Sequence, residues 1–147
     1  MRLSAKGRYA LAAAISMAEQ YSSGEPLTVI SISEKLGISK VYLEQVFALL
    51  KRGGIVNSIK GAQGGYQFTR TPQNITMLDI LSAVEFSLSE PAEDTVSKNA
   101  PEIEVALKYS FAKIDNALKI TMESITLSDL VNEAEKSKPD SGFMYFI

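Results

Sequence analysis

Glycines at positions 37, 53, 54, 61, 64 and 65 cut the stretch from Val29 to Arg70 into four short pieces. Each piece carries its own local signal. In Val29 to Leu36, Ile32 and Leu36 lie about one helical turn apart. Gly37 allows a tight turn, and Ser39 suits a helix N-cap because its hydroxyl can accept from an orphan backbone N–H. From there to about Arg52, Leu43, Val46, Phe47 and Leu50 recur at i, i+3, i+4 and i+7, the spacing of one buried helix face. Past Gly53-Gly54, residues 55–59 and 66–70 read as strands joined by Gly61-Ala62-Gln63-Gly64-Gly65.

The flanks extend this pattern. Leu11, Ala14, Ile15 and Ala18 predict a helix from Tyr9 to Tyr21, stopped by Ser22-Ser23-Gly24-Glu25-Pro26. Thr76 and Asp79 fit a capping box ahead of Ile80, Leu81 and Val84. Residues 86–100 lack periodicity and read as a linker. Residues 101–125 then give the longest helical pattern. Leu107, Phe111, Ile114, Leu118, Thr121 and Ile125 alternate spacings of four and three, a coiled-coil-like seam. Thr126 to about Lys136 predicts a further helix, with Leu127, Leu130, Val131 and Ala134 on one face. The reading is therefore a mainly α chain with a small β-hairpin: a unit at 1–85, a linker at 86–100, dimerisation helices at 101–137 and an apolar tail at 138–147.

Helix, short helix, glycine turn, helix and glycine-tipped hairpin is the order of a winged helix-turn-helix. Such a turn lets the helix starting at Ser39 project into a DNA major groove. Its first turns offer Ser39, Lys40, Tyr42, Glu44 and Gln45 to phosphates and base edges; Gln pairs bidentately with adenine, and Glu accepts from cytosine. The hairpin tip sets Lys60 among Gly61, Gly64 and Gly65, which permit close approach to a backbone or minor groove. Charge agrees with this. Residues 1–75 hold nine bases and four acids, and the remainder six bases and thirteen acids, so only the first half suits a polyanion.

The chain has no cysteine and no histidine. Disulfides, thiolate metal sites and cysteine-held clusters are thereby excluded, as is the commonest general base. No catalytic residue, cofactor or metal is expected, and the chain does not read as an enzyme. No apolar run approaches a membrane span and no secretory signal is evident, so a cytoplasmic location is expected.

Three blocks together resemble the Rrf-two family of bacterial winged-helix regulators. They are Leu3-Ser4-Ala5-Lys6-Gly7-Arg8-Tyr9-Ala10, Ser39-Lys40-Val41-Tyr42-Leu43-Glu44-Gln45 and Ile59-Lys60-Gly61-Ala62-Gln63-Gly64-Gly65-Tyr66. The resemblance implies a homodimer, joined through the long helix at Leu107, Phe111, Ile114, Leu118 and Ile125, that binds a palindromic operator in double-stranded DNA. It places base contacts at Ser39, Tyr42, Glu44 and Gln45 and groove contacts at Lys60. Lys6 and Arg8 in the first block and Tyr66 in the third join the expected DNA-binding set. Cluster-binding members of the family carry three cysteines after the wing domain. This chain has none there, so the resemblance implies a regulator without an iron–sulfur cluster. Glu90, Glu93 and Asp94 offer carboxylates to a hard cation in principle, but a solvated acidic loop is the better reading.

The ending Met144-Tyr145-Phe146-Ile147 is similar to the tail of the family's cysteine-metabolism repressors, which work with cysteine synthase. On that resemblance the chain is a repressor of cysteine or sulfur metabolism whose Tyr145, Phe146 and Ile147 bind the enzyme. The same tail could equally pack on its own dimer. Two other readings stay open: a winged-helix protein-interaction adaptor, and a regulator that senses a small metabolite directly.

Overall fold

The computed structural model describes residues 3–62 and 64–139. They form helices α1 (Ala5–Glu19), α2 (Val29–Leu36) and α3 (Lys40–Arg52), strands β1 (Val56–Ile59) and β2 (Gly65–Phe68), then α4 (Met77–Val84), α5 (Pro101–Ser124) and α6 (Leu127–Ser137). The architecture is a winged helix-turn-helix followed by a long C-terminal helix, as the glycine spacing predicts.

Most helix starts are set by side-chain caps. Ser4, Thr28, Ser39, Thr76 and Thr126 each accept from a backbone N–H in the first turn of the helix that follows. Thr76 with Asp79 and Thr126 with Asp129 complete reciprocal capping boxes. Because Ser4 accepts from the Gly7 N–H, α1 begins four residues before the expected Tyr9. Lys6-Gly7-Arg8 in that first turn gives apolar periodicity nothing to register.

α1 is the central element. Ala10, Ala13 and Ala14 are fully buried, and their side chains end at Cβ, so α2, α3, α4 and α6 can all approach it closely. From α3, Leu43, Val46, Phe47 and Leu50 are fully buried in the same core. Each such burial stabilises the fold by about 1.5–3 kcal/mol.

The antiparallel hairpin pairs Val56 with Phe68 and Ile59 with Gly65. Near its tip the outer edge of β2 is stitched to the lead-in of α2: Leu27 N–H donates to the Tyr66 carbonyl at 3.0 Å, and Tyr66 N–H to the Leu27 carbonyl at 2.8 Å. A Cβ at position 65 would stand 2.4 Å from the Leu27 oxygen, so only glycine lets the strands come this close.

Two features depart from expectation. α6, grouped by sequence with the dimerisation helix in 101–137, packs on α1: Leu127 is fully buried in the core, with Leu130 and Val131 against it. The second feature is Ile125, expected on the seam. It is half-buried just past the end of α5. Its carbonyl accepts from Met77 N–H at 2.8 Å, while Leu127 N–H donates to Ile75 O at 2.9 Å. This antiparallel stitch returns the chain to the core after α5. No helix among the described residues is long and apolar enough to cross a membrane.

Candidate nucleic-acid interface

The turn between α2 and α3 is tight and closed by its own hydrogen bonds. Gly37 adopts φ of 68°, its N–H donates to Ser33 O at 2.9 Å, and Ser33 Oγ donates to Ile38 O at 2.5 Å. A side chain at that φ would be strained. The Ser39 hydroxyl accepts from Tyr42 N–H at 3.3 Å and so starts α3, while its own proton stays available to an acceptor outside.

The buried and exposed faces of α3 separate cleanly. Opposite Leu43, Val46 and Phe47, the side chains of Lys40, Val41, Glu44 and Gln45 are exposed. Lys40 and Glu44 form an exposed ion pair at 3.4 Å. Such a pair contributes little, so either partner can be redirected to DNA at small cost. Tyr42 is half-buried, its ring edge-on to Tyr9 with centroids 5.1 Å apart and planes at 82°. Its position is thereby set by α1. Val41 is a residue the sequence reading passed over. It is 65% exposed and lies one turn before Gln45 on the same face. That spacing was the available signal, and an exposed methyl pair suits a thymine methyl.

Lys6 and Arg8 lie in the first turn of α1, half-buried and exposed respectively. The Ser4 hydroxyl donates to the buried carboxylate of Glu85, just past the end of α4. A Cβ on Gly7 would meet the same carboxylate at 2.3 Å, so any larger residue there would have to displace the Glu85 side chain from Ser4. On the wing, Lys60 and Gly61 are exposed, and Gly64 N–H donates to Gly61 O at 3.0 Å. Gln63 lies outside the described residues. Just behind the tip, Lys51 Nζ donates to Ser58 Oγ at 2.9 Å and ties α3 to β1. Tyr66, expected among the DNA contacts, is anchored inward. It is half-buried, and its ring stacks on Phe47 at 4.6 Å between centroids.

Apart from Ile125, the expected dimerisation residues fall on a helix that leaves the core almost entirely. Of α5, only Glu104 and Met122 are buried. Phe111, Ile114 and Leu118 are 38%, 57% and 38% exposed, Leu107 is half-buried, and Ile103, Val105, Tyr109 and Ile120 are more than half exposed. The tail residues Tyr145, Phe146 and Ile147 lie outside the described residues.

Two ionic clusters lie outside the expected DNA-contact set. Glu19 on α1 is held below the usual carboxylate range, chiefly by the hydrogen bond from Lys35 on α2 and also by Lys138 past α6. The two ammonium groups approach to 2.9 and 3.1 Å, and the Glu19 side chain is only 12% exposed. In the linker, Asp94 pairs with Lys108 of α5. That bond, with help from Ser97, lowers the Asp94 pKa, and the Lys108 ammonium is raised in turn.

Known proteins share this arrangement. A family model described as "Rrf2: Iron-dependent Transcriptional regulator" matches residues 3–133. The HTH-type transcriptional regulator CymR of Bacillus subtilis is 34% identical over 149 aligned residues, covering 100% of both chains. The solved structure of T. potens IscR matches with a TM-score of 0.76 and 32% identity, covering 99% of this chain and 96% of that one. A structure described as "The Structure of CymR (YrzC) the Global Cysteine Regulator of B. subtilis" matches at TM-score 0.74 and 33% identity, covering 90% and 98%.

Proposed function

The chain belongs to the Rrf2 family of DNA-binding transcriptional regulators, which are not enzymes, and from that premise we propose that it is a homodimeric repressor of cysteine or sulfur metabolism genes, active without an iron–sulfur cluster. One observation carries the DNA-binding mode. The first two turns of α3 present Lys40, Val41, Glu44 and Gln45 to solvent while the opposite side of the helix is locked in the core. In this reading Gln45, Glu44 and Val41 read base edges, and Ser39, Lys40, Tyr42, Lys6 and Arg8 fix the register on phosphates. Lys60 enters a minor groove. As a point charge it lacks the planar fork of Arg, so it contributes attraction more than base discrimination.

Dimerisation is assigned to α5. A helix of 24 residues that leaves Ile103, Val105, Tyr109, Phe111, Ile114, Leu118 and Ile120 exposed is covered most simply by its symmetry mate. The cysteine circuit rests on full-length similarity to CymR, which one solved structure describes as a global cysteine regulator. Whether the tail at Tyr145, Phe146 and Ile147 engages cysteine synthase belongs to the same proposal.

The test is selection of bound sequences from a random duplex pool at two salt concentrations. A two-fold symmetric motif, with half-sites one helical turn or a multiple apart and a steep salt slope, supports the reading. If nothing is enriched, the selection is repeated with cysteine synthase present. Failure there overturns the regulator reading in favour of a protein-docking adaptor.

A further inference from the structure

The family description speaks of iron, and the residues here can be tested for a fit to it. The chain contains neither cysteine nor histidine. Among the described residues no three His, Cys, Asp or Glu side chains are placed to hold a metal ion. Two of the carboxylates in and beside the linker are already engaged. Asp94 pairs with Lys108, and Glu104 Oε1 accepts from the backbone N–H groups of Thr95 at 2.8 Å and Val96 at 2.6 Å. These residues do not fit an iron centre, which needs thiolate, imidazole or several free oxygen donors.

The linker is nonetheless organised. Glu104, in the first turn of α5, is only 5% exposed. Its two accepted hydrogen bonds pin residues 95 and 96, and Ala100 N–H closes the turn on Val96 O at 2.9 Å. Glu104 Oε2 is buried without a hydrogen-bond partner among the described residues. A buried carboxylate left half-satisfied is costly unless a countercharge stands near. Lys108 lies four residues further along α5, bonded to Asp94. Its ammonium is held protonated mainly by Asp94 and also by the charge of Glu104.

We propose that the connection between α4 and α5 is ordered by a clamp of α5's own side chains, Glu104 holding the Thr95 and Val96 amides and Lys108 pairing with Asp94, and that this connection keeps its conformation without iron. The inference takes its consequence from the regulator reading, but its test needs no DNA.

Amide hydrogen exchange of the full chain, free of DNA, is followed by NMR in three states: as purified, with EDTA, and with ferrous iron under anaerobic conditions. Thr95 and Val96 amides are expected to exchange slowly and equally in all three. Glu104→Ala should speed exchange at both amides about tenfold or more, and Lys108→Met by a smaller factor. Glu104→Gln, which keeps the Oε1 acceptor, should fall between wild type and Glu104→Ala. Unchanged exchange of the α3 amides identifies the loss as local and not global unfolding. The proposal is overturned if EDTA alone speeds exchange at these amides, if ferrous iron slows it, or if Glu104→Ala and Lys108→Met leave it unaltered. A chain that passes this test but enriches no duplex would retain the clamp and lose the regulator reading.

Discussion

The ring of Tyr66 lies stacked on that of Phe47, with centroids 4.6 Å apart and planes inclined by 27°. The first ring belongs to β2 of the wing and the second to the buried face of α3, so one contact relates the two elements expected to meet DNA. An aromatic pair is worth about 0.5–1.5 kcal/mol beyond its buried area. Tyr66→Leu should lower stability by about that amount in urea unfolding and loosen DNA binding through the wing. A variant that unfolds like wild type would show that the stack does not hold the wing.

Gln45 and Lys60 are predicted to fail differently. Gln45→Ala should relax preference at one base position by about 1–3 kcal/mol and leave random duplex unaffected. Lys60→Ala should weaken every duplex alike and flatten the dependence on salt. Binding isotherms on specific and random DNA separate the two, and identical behaviour would refute the division of roles.

On α5, Ile114→Glu places like charges across the expected two-fold seam, a juxtaposition that costs several kcal/mol, about enough to dissociate a typical dimer. Ile114 is 57% exposed within one chain, so the fold of the protomer should survive. Sedimentation should give a monomer with intact helical circular dichroism. A persistent dimer would move the interface elsewhere.

Glu19 links stability to pH. Its folded-state pKa lies below the ordinary value of 4.5, first because Lys35 donates a hydrogen bond to it. The bound proton is therefore disfavoured in the folded state. The stabilisation is fully present above 4.5 and is lost as pH falls through the lower folded-state value. Glu19→Gln should be less stable than wild type at neutral pH, and the gap should close in acid. A gap that is constant across an acid titration of denaturation midpoints would exclude this ionic role.

Where a residue acts on its own neighbourhood, the sequence was legible. Ser39, Gly37 and the Thr76–Asp79 pair announce their elements because caps and glycine turns are local chemistry. The exposure of Gln45 follows from its position on the wheel opposite Leu43 and Phe47. What periodicity omits is the identity of the surface opposite. The apolar face of α6 was evident, but nothing in Leu127, Leu130 and Val131 says that they cover α1 and not a second copy. Tyr66 shows the same limit, since an aromatic beside a glycine loop suits DNA as well as it suits Phe47. By sequence Glu104 is one more acid near a helix start, where the dipole favours it, and its role depends on two amides eight and nine residues upstream.

The stitch of Met77 to Ile125 and of Leu127 to Ile75 has a bearing on synthesis. It makes α5 an excursion from a core that α6 closes, so a nascent chain emerging from the ribosome cannot seal the wing domain until the long helix has already been made. The surface expected to bind DNA and the surface expected to pair two copies are therefore completed almost together. Truncation before Thr126 should leave α1 uncovered and yield aggregates in place of a smaller DNA-binding fragment.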